Sequence, residues 1–193
     1  MTSRTKKMTV CAIMIALATV LSMVKIFKMP LGGSVTLLSM LPIVLISVMY
    51  SLSWGVASAG IYAVIQLFLG ITLDGLLGWG LTPLMLVGTI ILDYLLPFTL
   101  LGLAGVFRKK GFAGFVLGTV MVLVLRFVCH FISGYVIFAY LDQFEVFGNT
   151  FVGKPALYSV CYNALYMLPE LVLTTIGTAL VFKSKAVNKL LSA

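Results

Sequence analysis

Four ionisable side chains stand inside long apolar stretches: Asp93, Arg126, His130 and Glu170. A charge held in hydrocarbon is costly, so such residues face a cavity or pair with one another. Arg126 and His130 are four residues apart, one helical turn, and share a helix face. Tyr94 follows Asp93 directly, Tyr158 and Asn163 lie further along, and Tyr62, Trp79 and Phe138 add aromatic surface. A carboxylate beside aromatic rings suits a cationic heteroaromatic ligand, through charge neutralisation and cation–π attraction. Histidine, tyrosine and asparagine add directional hydrogen bonds that fix a ligand's orientation. Plainer readings stand beside this one. Asp93 and Arg126 are placed to form a structural ion pair, and Tyr158 suits an interfacial aromatic belt. Glu170 lies deeper, within reach of Arg126 or of a proton path.

The elements that must position these residues are membrane helices. The chain has 193 residues, 62% hydrophobic and 9% charged, with mean hydropathy +1.19. A soluble domain carries about 25% charged residues; this chain cannot cover a water-facing surface, and lipid is its solvent. At about 20 apolar residues per crossing, the expectation is one all-α transmembrane domain over residues 1–193 with six spans. Six apolar runs fall at roughly 8–26, 35–51, 54–73, 84–107, 112–140 and 157–182. No internal repeat marks an inverted-repeat transporter. The apolar run after Lys7 continues to Val24 without a small-residue cleavage site, which fits a first transmembrane helix better than a signal peptide.

Charge sets the expected orientation. Six crossings put both termini on one side, with Arg4, Lys6, Lys7, Arg108, Lys109 and Lys110 and the C-terminal Lys183, Lys185 and Lys189. The other side holds Lys25, Lys28 and Lys154 beside Asp74, Asp142 and Glu145. Nine basic residues against three is a positive-inside signal for cytoplasmic termini in a multi-pass cell-membrane protein. The net charge of +8 is therefore topological, and no nucleic-acid partner is expected. Cys11, Cys129 and Cys161 lack CxxC spacing and read as small buried hydrophobes.

Asp93 and Arg126 each lie 14 residues from the cytoplasmic end of their run, about 21 Å from that face. His130, Tyr158 and Asn163 fall at a similar outer depth. The loop from Lys28 to Ser34 is a candidate lid, because Gly32 and Gly33 permit unusual backbone angles.

These residues resemble a known family. The carriers are Met29-Pro-Leu-Gly-Gly-Ser-Val35 with Leu41-Pro-Ile43, Leu92-Asp-Tyr-Leu95, Arg126-Phe-Val-Cys-His-Phe-Ile-Ser-Gly134 and Tyr158-Ser-Val-Cys-Tyr-Asn163. In this order and spacing, over nearly the whole chain, they are similar to the thiamine-specific substrate-binding subunits of energy-coupling factor (ECF) transporters, the ThiT/YuaJ family. The resemblance implies a six-helix protein with an outward-facing thiamine pocket. It assigns the pocket carboxylate to Asp93 and an aromatic to Tyr94. It puts a basic residue at Arg126, the histidine at His130, and the tyrosine and asparagine at Tyr158 and Asn163. Tryptophans lining the pocket in some relatives match Gly33, Tyr62 and Phe138. The resemblance further implies docking of a transmembrane coupling subunit on Ala12 and Ala16 of the first helix, with two ATP-binding subunits completing the complex. Ala12-Ile-Met-Ile-Ala16 is itself a small-xxx-small pattern that permits close helix approach.

No phosphate-binding loop is found, so ATP energy must come from a partner. Without HExxH, GxSxG or a second histidine, an intramembrane enzyme is not expected, and no cofactor is called for. Two functions remain: a thiamine-binding subunit of an ATP-driven uptake transporter, and a self-sufficient proton-coupled carrier of thiamine or a precursor using Asp93, His130 and Glu170 as a relay.

Overall fold

The computed structural model describes residues 4–30, 32–138, 145–146 and 148–184. Helix α1 (Arg4–Met23) leads into an antiparallel hairpin of β1 (Lys25–Lys28) and β2 (Ser34–Thr36). Helices α2 (Leu41–Met49) and α3 (Leu52–Thr72) follow. A helical rod, α4, runs over 83–110, then α5 (Gly111–Val136), the short strands β3 (Glu145–Val146) and β4 (Asn149–Thr150), and α6 (Pro155–Lys183).

Local sequence sets these boundaries. Ser51 caps α3 by accepting a hydrogen bond from the Trp54 amide, and Thr82 caps α4 through the Met85 amide. Pro83 and Pro155 open their helices, where a missing N–H costs nothing. Gly32 and Gly33 both adopt φ +79°, which lets the hairpin turn.

Among the described residues, four helical stretches are long and apolar enough to cross a bilayer: Arg4–Met23, Leu52–Thr72, Pro83–Val136 and Pro155–Lys183. The third has 54 residues, about 81 Å if straight, against a hydrocarbon core of about 30 Å. It folds back at Gly111, whose φ of +62° reverses the chain. Gly114 then lies against the Phe107 carbonyl and Gly118 against that of Ala104, so α5 runs antiparallel to α4. The run expected as a single span over 35–51 is not one helix. It begins as β2, turns through Leu38 at φ +59°, and becomes helical only over Leu41–Met49. That short helix is locked to its neighbours: Ser47 Oγ donates to the Gly102 carbonyl at 2.5 Å and accepts from the Gly105 amide at 2.9 Å.

The basic residues collect at one end. The Lys7 ammonium lies 5.8 Å from the Tyr50 ring, Arg108 donates to the Tyr50 carbonyl, and Lys183 lies 5.7 Å from the Phe112 ring. The start of α1 and the end of α6 therefore share a face of the protein. Lys185, Lys189, Asp142 and Leu31 of the expected lid lie outside the described residues, as do the last two residues of the 112–140 run. Large apolar side chains face outward, among them Ile13, Phe68, Leu84 and Leu180, the surface lipid requires.

At the opposite end, Asp74 clasps the hairpin, 2.5 Å from Lys25 Nζ and 2.9 Å from Lys28 Nζ. Burial pushes the Asp74 carboxyl up, but hydrogen bonds and charge from both lysines outweigh it and hold the group below its ordinary value. A depressed carboxyl stabilises the fold above its unfolded pKa and loses that contribution as pH falls through its folded one. The clasp is thus closed at neutral pH and opens in acid, below the ordinary carboxylate range. Asp74→Asn should open it at neutral pH, and hydrogen exchange at the β1 and β2 amides should rise; unchanged exchange would show the clasp does not hold the hairpin.

Candidate functional site

Asp93 owes its position to a proline. Pro97 has no N–H and its ring crowds the carbonyl four residues earlier, that of Asp93. The rod responds by widening to a π turn over Ile90–Leu95, closed by a bond from the Leu96 amide to the Ile91 carbonyl. Such widened turns are frequent at functional sites, and this one carries Asp93 and Tyr94.

Asp93 lies on the wall of a cavity of about 920 Å³, mouth included, at the end of the bundle away from the basic face. Its carboxylate is held from two sides. His130 Nδ1 lies 2.8 Å from Oδ1, and the Ser133 hydroxyl donates to Oδ2. Arg126 Nε donates to His130 Nε2 at 3.1 Å. Because Nε2 accepts, the ring proton sits on Nδ1 and is donated to Asp93, which fixes the neutral tautomer. The Arg126 guanidinium stacks over the Phe98 ring, 4.1 Å from its centre, and turns Nη1 to Met40. The expected direct pair of Asp93 with Arg126 is therefore replaced by a relayed one through His130. The cation–π seat on Phe98 draws the guanidinium aside.

Asn163 is spent on structure. Its amide donates to the His130 carbonyl at 3.1 Å and the Ser159 carbonyl at 2.8 Å, tying α6 to α5, while its Oδ1 accepts from Tyr166 at 2.7 Å. Gly134 makes that seam possible: a Cβ there would meet Ser159 and Asn163. Tyr158 is buried and packs against Tyr162, ring centres 5.7 Å apart. Trp79 and Phe138 meet edge to face at 6.0 Å and form another wall.

Seven of the eight expected pocket residues, Asp93, Tyr94, Arg126, His130, Phe138, Tyr158 and Asn163, line this one cavity. Tyr62 does not. It is fully buried one layer behind, edge-on to Phe98 at 5.5 Å, its hydroxyl toward the Ala18 carbonyl at 3.5 Å. Gly33 lines the cavity but has no room for a larger side chain, since a Cβ would meet the Tyr166 ring at 2.6 Å. Glu170 is not an ion-pair partner of Arg126. Its Oε1 accepts from the Thr36 amide at 2.5 Å and the Thr36 hydroxyl at 2.6 Å, anchoring β2 to α6.

Sequence reasoning missed several lining residues, among them Ser39, Gln66, Phe98 and Tyr166. Gln66, a lone amide in an apolar run, carried a usable signal; it donates to Ser22 at 2.8 Å across α1 and α3. Gly32, Gly33 and Ser34 of the candidate lid line the cavity: the Tyr162 hydroxyl donates to the Gly32 carbonyl at 3.0 Å, and Gly32 packs on Trp79.

A bundle of apolar helices around a polar-aromatic cavity of solute size defines the class, a membrane protein with an internal pocket. Residues 8–190 match the family model described as thiamine transporter protein (Thia_YuaJ), and the chain belongs to that family. It is 30% identical over 188 residues to the thiamine transporter ThiT of Bacillus subtilis (strain 168), covering 89% of this chain and 87% of that protein. Its fold is similar to the solved structure of ThiT from Listeria monocytogenes, with TM-score 0.72 at 19% identity, covering 97% of this chain and 98% of that one.

Proposed function

We propose that this chain is the membrane-embedded thiamine-binding subunit of an ATP-driven ECF uptake transporter in a bacterial cell membrane. In this reading it captures thiamine from outside. The observation that carries it is the Asp93 carboxylate, fixed by His130 and Ser133, on a cavity walled by Trp79, Tyr94, Phe138 and Tyr158. Thiamine is a monocation with two aromatic rings. The carboxylate neutralises its charge, and the aromatic faces hold the rings. β2, the turn and α2 together complete a second traverse, which gives six crossings with both termini and the basic face cytoplasmic. The hairpin acts as the lid. Energy comes from a coupling subunit docked on Ala12 and Ala16 and from two ATP-binding subunits.

The reading is tested by titrating purified protein with thiamine in a calorimeter. Saturable binding at micromolar ligand is expected, and its absence sinks the proposal. The proton-coupled alternative asks His130 to shuttle protons, but both its ring nitrogens are engaged in a fixed tautomer. Thiamine uptake by vesicles holding this protein alone, under a proton gradient without ATP, would favour that alternative.

A further inference from the structure

Free polar atoms show where a ligand must complete a site. His130 uses both nitrogens, and Asn163 uses its amide donors and its oxygen within the protein. Both Asp93 oxygens already accept a bond. Among the described residues, four buried side-chain oxygens lack any partner, those of Thr89, Thr174 and Thr175 and Oε2 of Glu170. Of these four residues only Glu170 lines the cavity. Its side chain is 2% exposed. Threonine hydroxyls rotate to suit weak acceptors, whereas an orphaned buried carboxylate oxygen costs much more. Nor is Glu170 free to swing away, because Thr36 grips Oε1 with both its amide and its hydroxyl. The second oxygen is held in place by the first.

We propose that Glu170 Oε2 is a ligand contact, accepting a hydrogen bond from an N–H or O–H donor of the bound solute. Glu170 is then a second specificity-determining carboxylate beside Asp93. The proposal rests on the reading of the cavity as a thiamine site. Thiamine offers two such donors, its pyrimidine amino group and its hydroxyl.

The test titrates purified full-length wild type and Glu170→Gln with three ligands. These are thiamine, an analogue with the amino group replaced by an oxo group, and an analogue lacking the hydroxyl. Wild type should prefer thiamine over one analogue by at least about tenfold, and that analogue identifies the donor. In E170Q, where an amide donor can face the ligand's donor, thiamine should bind at least about tenfold more weakly and the preference should fall to about twofold or less. Thr36→Val removes a bond to Oε1 but leaves Oε2, and should keep the preference. E170Q binding thiamine within about twofold of wild type overturns the proposal. So does an equal loss for all three ligands, which makes Glu170 only a brace for β2. If E170Q loses its monodisperse elution, E170D, which draws both oxygens back, is judged by the same criteria. Wild type that binds none of the ligands overturns both this proposal and the thiamine reading; a binding wild type with an indifferent variant overturns this proposal alone.

Discussion

Asp93→Asn is expected to weaken thiamine binding by about a hundredfold or more, while a neutral analogue of the same shape loses about tenfold at most. The asparagine oxygen can still accept from His130, and the side chain keeps its size, so the π turn and the walls persist. What is lost is the charge. In the wild type the cavity wall offers a partly buried carboxylate whose partners, His130 and Ser133, are neutral donors. They orient it without cancelling it. The buried cation Arg126 contacts His130 and Phe98 rather than Asp93. A cationic ligand therefore meets an anion that needs it, and removing one partner of a buried pair strands the other. Calorimetric titration with both ligands checks this. Equal losses for the cation and the neutral analogue would mean that Asp93 acts by shape, and the charge-recognition argument would fail.

The apolar runs made the membrane helices legible, because each crossing needs its own stretch of hydrophobic residues. The convergence of Asp93, Arg126, His130, Tyr158 and Asn163 on one cavity was legible too, since rise per residue converts position into height along a helix. Height alone does not say which way a side chain turns. Tyr62 faces the α1 seam, where the Ala18 carbonyl meets its hydroxyl. Arg126 lies at the height of Asp93 but is drawn onto Phe98. The Glu170–Thr36 contact joins residues 134 apart in the chain, and no local pattern announces it. Gly32 and Gly33 marked the boundary before the second run but not the break inside it. The non-glycine turn at Leu38, with φ +59°, was not. Pro97 signalled the π turn to any reading that asked what becomes of the Asp93 carbonyl.

The coupling step of the proposed function leads to the other large effect. Ala12→Trp and Ala16→Trp should each bring thiamine uptake by cells carrying the whole transporter down to background, while thiamine affinity of the purified protein stays unchanged. Both alanines are exposed on α1, beside Ile13 and Leu17, which are 61% and 46% exposed. The buried face of that helix is a different one, made by Cys11, Ile15, Ala18 and Ser22. An outward tryptophan therefore leaves the cavity and the core untouched. Lipid accommodates an indole readily, so a helix that only faces lipid would tolerate the change. A helix that must lie close against a partner would not, because small residues are what allow two backbones to approach. Binding and uptake measured together decide the matter. Full uptake in both variants would remove the α1 face as the coupling surface. Loss of binding along with uptake would mean that the substitutions damage the fold, and a bundle that binds but cannot transport is the outcome that a subunit dependent on partners requires.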